Sequence, residues 1–244
     1  MPVSGDLPVP ARALAVAAHP DDVEFGAGAT LAKWSAGGCR LLHVICTDGS
    51  KGSWDPAEDL ARLVVTRQEE QRAASLALGG AGDVLFLGWP DGELESGLQQ
   101  RAQVAAAVRR FRPDVVLGHD PWKRYRLHPD HRHAGFLAVE GVVAARDPHF
   151  FPELNLAPHR PAALLLFEAD EPDHVEAVAA AHIRAKLDAL LAHRSQLRST
   201  MGIDDAGERG QQTAFEERVV STLVEHGALG GVPRGEAFKR IADL

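Results

Sequence analysis

Short apolar runs alternate along this chain with longer stretches in which apolar residues recur at helical spacing. The run Ala13 to Ala17, fenced upstream by Pro8 and Pro10, predicts a buried strand. Gly26 to Trp34 predicts a helix closed by Gly37-Gly38. Cys39 to Cys46 reads as a second strand. Asp55-Pro56 then offers a capping carboxylate and a proline for the first turn of a helix that runs to about Leu78. A third strand is expected at Val84 to Leu87 and a helix at Leu98 to Phe111, stopped by Pro113. A fourth strand follows at Asp114 to Gly118 and a helix at Ala134 to Arg146. Strand and helix alternating in this way predict an α/β chain, a doubly wound, mostly parallel sheet with helices on both faces.

Asp147 to Pro161 carries four prolines and two histidines and reads as an irregular surface loop. Strands are expected at Ala162 to Phe167 and His174 to Val178. Ala179 to His193 is a helix with Ile183, Leu187, Leu190 and Leu191 on one face. Residues 1–11, with three prolines, read as a loose arm, and residues 199–210, rich in Gly and Asp, as a mobile stretch. The extension 199–244 is expected to form helices near Gln211 to Glu225 and Glu236 to Ala242. It would pack on the domain or on a neighbouring subunit, which leaves a homo-oligomer open.

The length of 244 residues suits a single large domain. A net charge of −8 argues against nucleic acid or an anionic membrane surface as a partner. Cys39 and Cys46 are the two cysteines, without Cys-x-x-Cys spacing, so a reduced, cytoplasmic setting is expected. No signal-peptide pattern or membrane-length apolar run is present.

The candidate chemistry lies in two clusters. His19-Pro20-Asp21-Asp22-Val23-Glu24 follows the first strand, and His128-Pro129-Asp130-His131 follows the fourth. In an open parallel sheet, loops at the carboxyl ends of strands are where ligands bind. Alone, Asp21-Asp22 could simply cap the following helix. Together, the clusters can bring imidazoles and carboxylates to one sheet edge, and two His plus one carboxylate with an open position suits a catalytic zinc site.

The paired motifs resemble the LmbE-like (PIG-L) family of zinc-dependent N-acetylglucosamine deacetylases, with the resemblance running from about Ala13 to Met201. It implies a single Rossmann-like domain and hydrolysis of an N-acetyl group on a small N-acetylated amino sugar, releasing acetate and an amine. It implies His19, Asp22 and His131 as ligands of Zn²⁺, a set that also suits Fe²⁺. Asp21 is then the general base and His128 the donor to the oxyanion, with Asp130 orienting His128 and Glu24 supporting His19. Arg67, Asp91 and His193 match substrate-binding positions, although Arg67 could instead pair with Glu70 one helical turn on.

Two alternatives stay open. One is an amidase acting on a larger thiol-sugar conjugate with the same machinery. The other, more remote, is a nucleotide-binding protein, because Gly26-Ala27-Gly28-Ala29-Thr30-Leu31 begins like a dinucleotide fingerprint. Leu31 stands where that fingerprint needs its third glycine.

Overall fold

The computed structural model describes residues 3–204 and 209–244. Its strands are β1 (Arg12–Ala17), β2 (Arg40–Thr47), β3 (Val84–Trp89), β4 (Val115–His119), β5 (Ala163–Phe167), β6 (His174–Ala177) and β7 (Gly235–Ile241). They form one sheet in the order β3-β2-β1-β4-β5-β7-β6. The first five are mutually parallel, and β7 runs antiparallel between β5 and β6. The helices are α1 (Asp22–Ala36), α2 (Leu60–Ala77), α3 (Leu98–Phe111), α4 (Pro129–Arg146), α5 (Ala180–Ala192) and α6 (Arg209–Leu229).

β1 is buried from Ala13 to Ala17 because both of its faces are covered. Ala13, Ala15 and Ala17 share a core with Val23, Ala27 and Leu31 of α1 and Ala189 of α5. Leu14 and Val16 pack on the other face with Val104 and Val108 of α3 and Leu137 and Ala138 of α4. Successive strands step outward from β1 to β2 and β3, and the chain then returns to place β4 on the other side of β1. Strand order therefore reverses between β1 and β4, which opens a crevice at their carboxyl ends. Both His/Asp clusters enter that crevice.

Four expectations are corrected. α2 begins at Leu60, capped by Asp59, whose carboxylate accepts the Arg62 N–H at 3.1 Å. Asp55 instead closes a turn by accepting the Ala57 N–H at 2.9 Å. Residues 236–242 do not form a helix. They lie mostly in β7, where Gly235 to Phe238 are all buried between β5 and β6. Glu236 read as a polar helix face because its buried partner, Lys186, lies far off in sequence.

The N-terminal arm is not loose over its described part. Ser4 bridges to His174, Asp6 Oδ1 accepts the Ala177 N–H at 2.7 Å, and the Leu7 N–H donates to Glu176 Oε1 at 2.8 Å. Finally, α1 starts at Asp22, so Gly26 and Gly28 lie inside a helix rather than in a phosphate-binding turn. Gly26 is a packing glycine, since a Cβ there would sit 2.5 Å from the Phe167 ring. This removes the dinucleotide-fingerprint reading.

Of the expected mobile stretch 199–210, Leu197–Met201 form a single π-helical turn with Met201 buried, and 205–208 fall outside the described residues. Among the described residues, no helix is long and apolar enough to cross a membrane.

Candidate metal centre

The turn between β1 and α1 builds the centre. Asp21, the residue before α1, has φ 108°, a left-handed conformation that non-glycine residues seldom adopt. Its N–H donates to Gln71 Oε1 of α2 at 3.0 Å, which fixes the turn from behind. Asp22 Oδ2 accepts the His19 N–H at 2.7 Å and lies 3.3 Å from His19 Nδ1. Asp22 Oδ1 lies 3.3 Å from His131 Nε2. Two imidazoles, one from each of the two distant motifs, thus meet on the Asp22 carboxylate.

The other ring nitrogen of His19 is held by carboxylates, with Asp130 Oδ2 at 3.1 Å and Asp91 Oδ1 at 3.3 Å. Asp130 is fully buried and also accepts the N–H groups of Gly92 and Leu94, at 2.6 and 3.2 Å. The expectation that Asp130 orients His128 is therefore corrected: its oxygens are committed to His19 and to the loop after β3. His128 is exposed, set edge-on to His19 at 4.6 Å between ring centroids and stacked on His131 at 4.8 Å.

Arg67 is buried, donating to the carbonyls of Gly49 at 2.8 Å and Pro20 at 2.6 Å, and its Nη2 is 3.5 Å from Asp21 Oδ2. It does not pair with Glu70, whose carboxylate takes the N–H and hydroxyl of Ser195. His19, Asp21, Asp22, Arg67, Asp91, His128 and His131 line one cavity of about 510 Å³. His193 does not join them. It is fully buried with Nε2 3.3 Å from Glu24 Oε2, so the expected substrate contact becomes a support beneath the turn. Glu24 likewise touches Gln71 and His193 rather than His19.

The sequence reading missed His119, Glu168 and Arg126. His119, buried at the end of β4, has Nε2 3.3 Å from Asp22 Oδ2 and Nδ1 3.2 Å from Glu168 Oε2, which also accepts from Arg126 at 2.7 Å. The rule that strand carboxyl ends carry function pointed to His119 and Glu168, which close β4 and follow β5.

Charge is unevenly balanced here. Burial opposes protonation of His19, yet bonds to Asp130, Asp22 and Asp91 outweigh it and raise its pKa well above the ordinary value. Burial would raise Asp22, but His131 and His119 hold it well below the usual carboxylate range. Burial pushes Asp21 up to about 6, against the pull of Arg67. Burial also pushes His131 down to about 4, leaving it the neutral imidazole that metal ligation requires. Four buried aspartates converge on this pocket. Two imidazole nitrogens and a carboxylate, with a second carboxylate behind His19, form a donor set that fits a divalent cation. Among the described residues, donor atoms come within 4.8 Å of one another in three overlapping groups: His19 with His128 and His131, Asp22 with His119 and His131, and His19 with Asp91 and Asp130.

Residues 14–142, which span both motifs, match the family model described as PIG-L, GlcNAc-PI de-N-acetylase. The chain belongs to the PIG-L family. Within it, the diacetylchitobiose deacetylase of Thermococcus kodakarensis is 33% identical over 188 residues, covering 76% of this chain and 70% of that protein. A 1D-myo-inositol 2-acetamido-2-deoxy-alpha-D-glucopyranoside deacetylase of Streptomyces avermitilis is 35% identical over 175 residues, covering 62% of this chain and 58% of that protein. The N,N'-diacetylchitobiose deacetylase of Pyrococcus horikoshii, solved with an inhibitor, superposes with a TM-score of 0.84 at 28% identity. That match covers 96% of this chain and 84% of the other.

Proposed function

We propose that this chain is a metal-dependent hydrolase that removes the N-acetyl group from an N-acetylglucosamine-type sugar, releasing acetate and a free amine. The observation that carries the reading is the meeting of His19, Asp22 and His131 beside a buried Asp21 in one open cavity. The activities in the names of the relatives agree with it. Since β7 of the extension lies inside the sheet, we take 1–244 as one deacetylase domain. Two buried free cysteines, Cys39 and Cys46, fit a reducing cytoplasm.

His19 through Nδ1, Asp22 and His131 through Nε2 would hold the ion, with Zn²⁺ the natural choice for this set and Fe²⁺ compatible with it. A divalent cation supplies Lewis acidity and makes water a better acid near neutral pH. Asp21 takes the proton of the attacking water. Its pKa of about 6 suits a general base near neutral pH, and Arg67 stabilises its charged form. His128, exposed on the cavity wall, donates a hydrogen bond to the developing oxyanion. Partial burial and the neighbouring His19 lower its pKa, so near neutral pH it serves as a neutral imidazole, and the proton that Asp21 takes from water passes to the leaving amine. Arg67 and Asp91 line the cavity, where Arg67 holds Asp21 and Asp91 holds His19. Asp130 fixes the ring of His19.

Acetate release from N-acetylglucosamine and N,N'-diacetylchitobiose tests the reading. Activity should vanish on chelation and return with added Zn²⁺. Turnover of neither sugar by metal-loaded protein would overturn it.

A further inference from the structure

His119 closes β4 in a tight slot. Gly135 of α4 comes so near that a Cβ there would lie 2.6 Å from the His119 carbonyl oxygen. The ring stacks on His131 at 4.4 Å between centroids and stands edge-on to Phe167 at 4.6 Å. Both ring nitrogens face carboxylates, with Nδ1 3.2 Å from Glu168 Oε2 and Nε2 3.3 Å from Asp22 Oδ2. Packed in this way, the ring joins two acidic side chains that stand on different strands' ends.

Glu168, the residue after β5, has φ 58°, a left-handed backbone that is costly for a residue with a Cβ. Such strain persists where the surroundings hold it, and here His119 and the buried Arg126, donating from Nη1 at 2.7 Å, do so. The far end of this chain of contacts makes the two oxygens of Asp22 unlike. Oδ2 accepts the His19 N–H at 2.7 Å and is also met by His119 Nε2. Among the described residues, Oδ1 faces only His131 Nε2, at 3.3 Å. A carboxylate with both oxygens free can offer a cation either one of them or both.

We propose that Glu168 and His119 are positioning residues for Asp22, occupying its Oδ2 so that only Oδ1 is offered to a divalent cation. One carboxylate oxygen beside two imidazoles keeps the donor number low, which favours Zn²⁺ over cations such as Mn²⁺ that take more oxygen donors. The inference rests on the metal-dependent reading and adds to it what sets the choice of ion. Glu168 and His119 act through Asp22 rather than on the substrate, so their effect is read first in metal binding.

The test titrates metal-free protein calorimetrically with Zn²⁺ and with Mn²⁺, comparing the unaltered chain with Glu168→Gly, His119→Phe and the double variant. Glycine suits the left-handed backbone at 168, and phenylalanine keeps a ring in the slot while removing both nitrogens. Glu168→Gly, at a partly exposed position, carries the test if His119→Phe does not fold. Zn²⁺ affinity should fall about 10- to 100-fold in each single variant. The double variant should bind no more weakly than His119→Phe, because both changes break one chain of contacts. The preference for Zn²⁺ over Mn²⁺ should narrow in all three. Glu168→Gln, which keeps an acceptor for His119, should retain more affinity than Glu168→Gly. Single variants within about twofold of the unaltered Zn²⁺ affinity, or additive losses with an unchanged Zn²⁺-to-Mn²⁺ ratio, would overturn the proposal and leave the deacetylase reading standing. The expected losses in a chain that turns over neither sugar would support the proposal while the deacetylase reading failed.

Discussion

The left-handed backbone of Asp21 is where the division of labour in this centre is set. It turns the Asp21 carboxylate toward Arg67 while Asp22, next in sequence, faces three histidines. Such a conformation costs on the order of 1–3 kcal/mol and persists only when its surroundings hold it. Here Gln71 does so, accepting from the Asp21 N–H and donating to Glu24 at 2.8 Å, with His193 on the other oxygen of Glu24. Asp21→Asn should keep the ion and lose about 10²- to 10⁴-fold in kcat, the usual cost of a general base. Gln71→Leu should also keep the ion but lower kcat by about tenfold or more, through misplacement of Asp21. An unchanged kcat in Gln71→Leu would show that the turn holds itself. The motif residues were legible in the sequence because the chemistry sits in two compact clusters. Gln71, His119 and Glu168 were not, since each is a single polar residue that gains meaning only from what the sheet brings beside it.

Among the elements, α1 carries the clearest structural commitment. Lys186 of α5 donates to the Phe25 carbonyl at 2.7 Å, and Glu236 of β7 accepts the N–H groups of Ala29 and Thr30 at 3.1 and 2.7 Å. Lys186 and Glu236 pair with each other at 2.6 Å, both nearly inaccessible to solvent. One ion pair thus joins three elements behind the turn between β1 and α1. Removing one partner of a buried pair leaves an uncompensated charge, so Lys186→Met should cost about 3–5 kcal/mol. Urea unfolding checks this through a lower midpoint at unchanged slope. A loss under about 1 kcal/mol would mean that Glu236 finds water or takes up a proton cheaply. The element pattern was readable for β1 to β6 and α1 to α6, from apolar runs and helical periodicity. It failed at β7, where Glu236, Lys239 and Arg240 imitate the polar face of a helix although Glu236 is buried. It also misplaced the start of α2, where Asp55 and Asp59 offer the same capping signal.

At the scale of the whole molecule, the alternation of strands and helices was enough to anticipate a doubly wound sheet and to bring two motifs more than a hundred residues apart to one edge. The antiparallel insertion of β7 was not foreseeable, because nothing local marks which edge a late strand joins. That insertion gives β6 its partner and lets the N-terminal arm lie along β6. There, burial of Glu176 raises its pKa, but bonds from His174, the Leu7 N–H and Lys33 outweigh burial and hold it below the ordinary value. A depressed carboxylate contributes stability that is complete above the unfolded pKa of about 4.3 and is lost as pH falls through the folded value. Unfolding free energy should therefore fall on acidification below about pH 4.3. Glu176→Gln should be less stable than the unaltered protein at pH 7, with the gap narrowing toward pH 3. A gap constant with pH would assign the loss to packing rather than to charge.

Calorimetric titration of metal-free protein with Zn²⁺ tests the central claim most directly, comparing the unaltered chain with Asp21→Asn and Asp22→Asn. The unaltered chain and Asp21→Asn should each bind about one ion per chain with similar affinity, while Asp22→Asn should bind at least about tenfold more weakly. Full affinity in Asp22→Asn, or its loss in Asp21→Asn, would contradict the assignment of ligand and base.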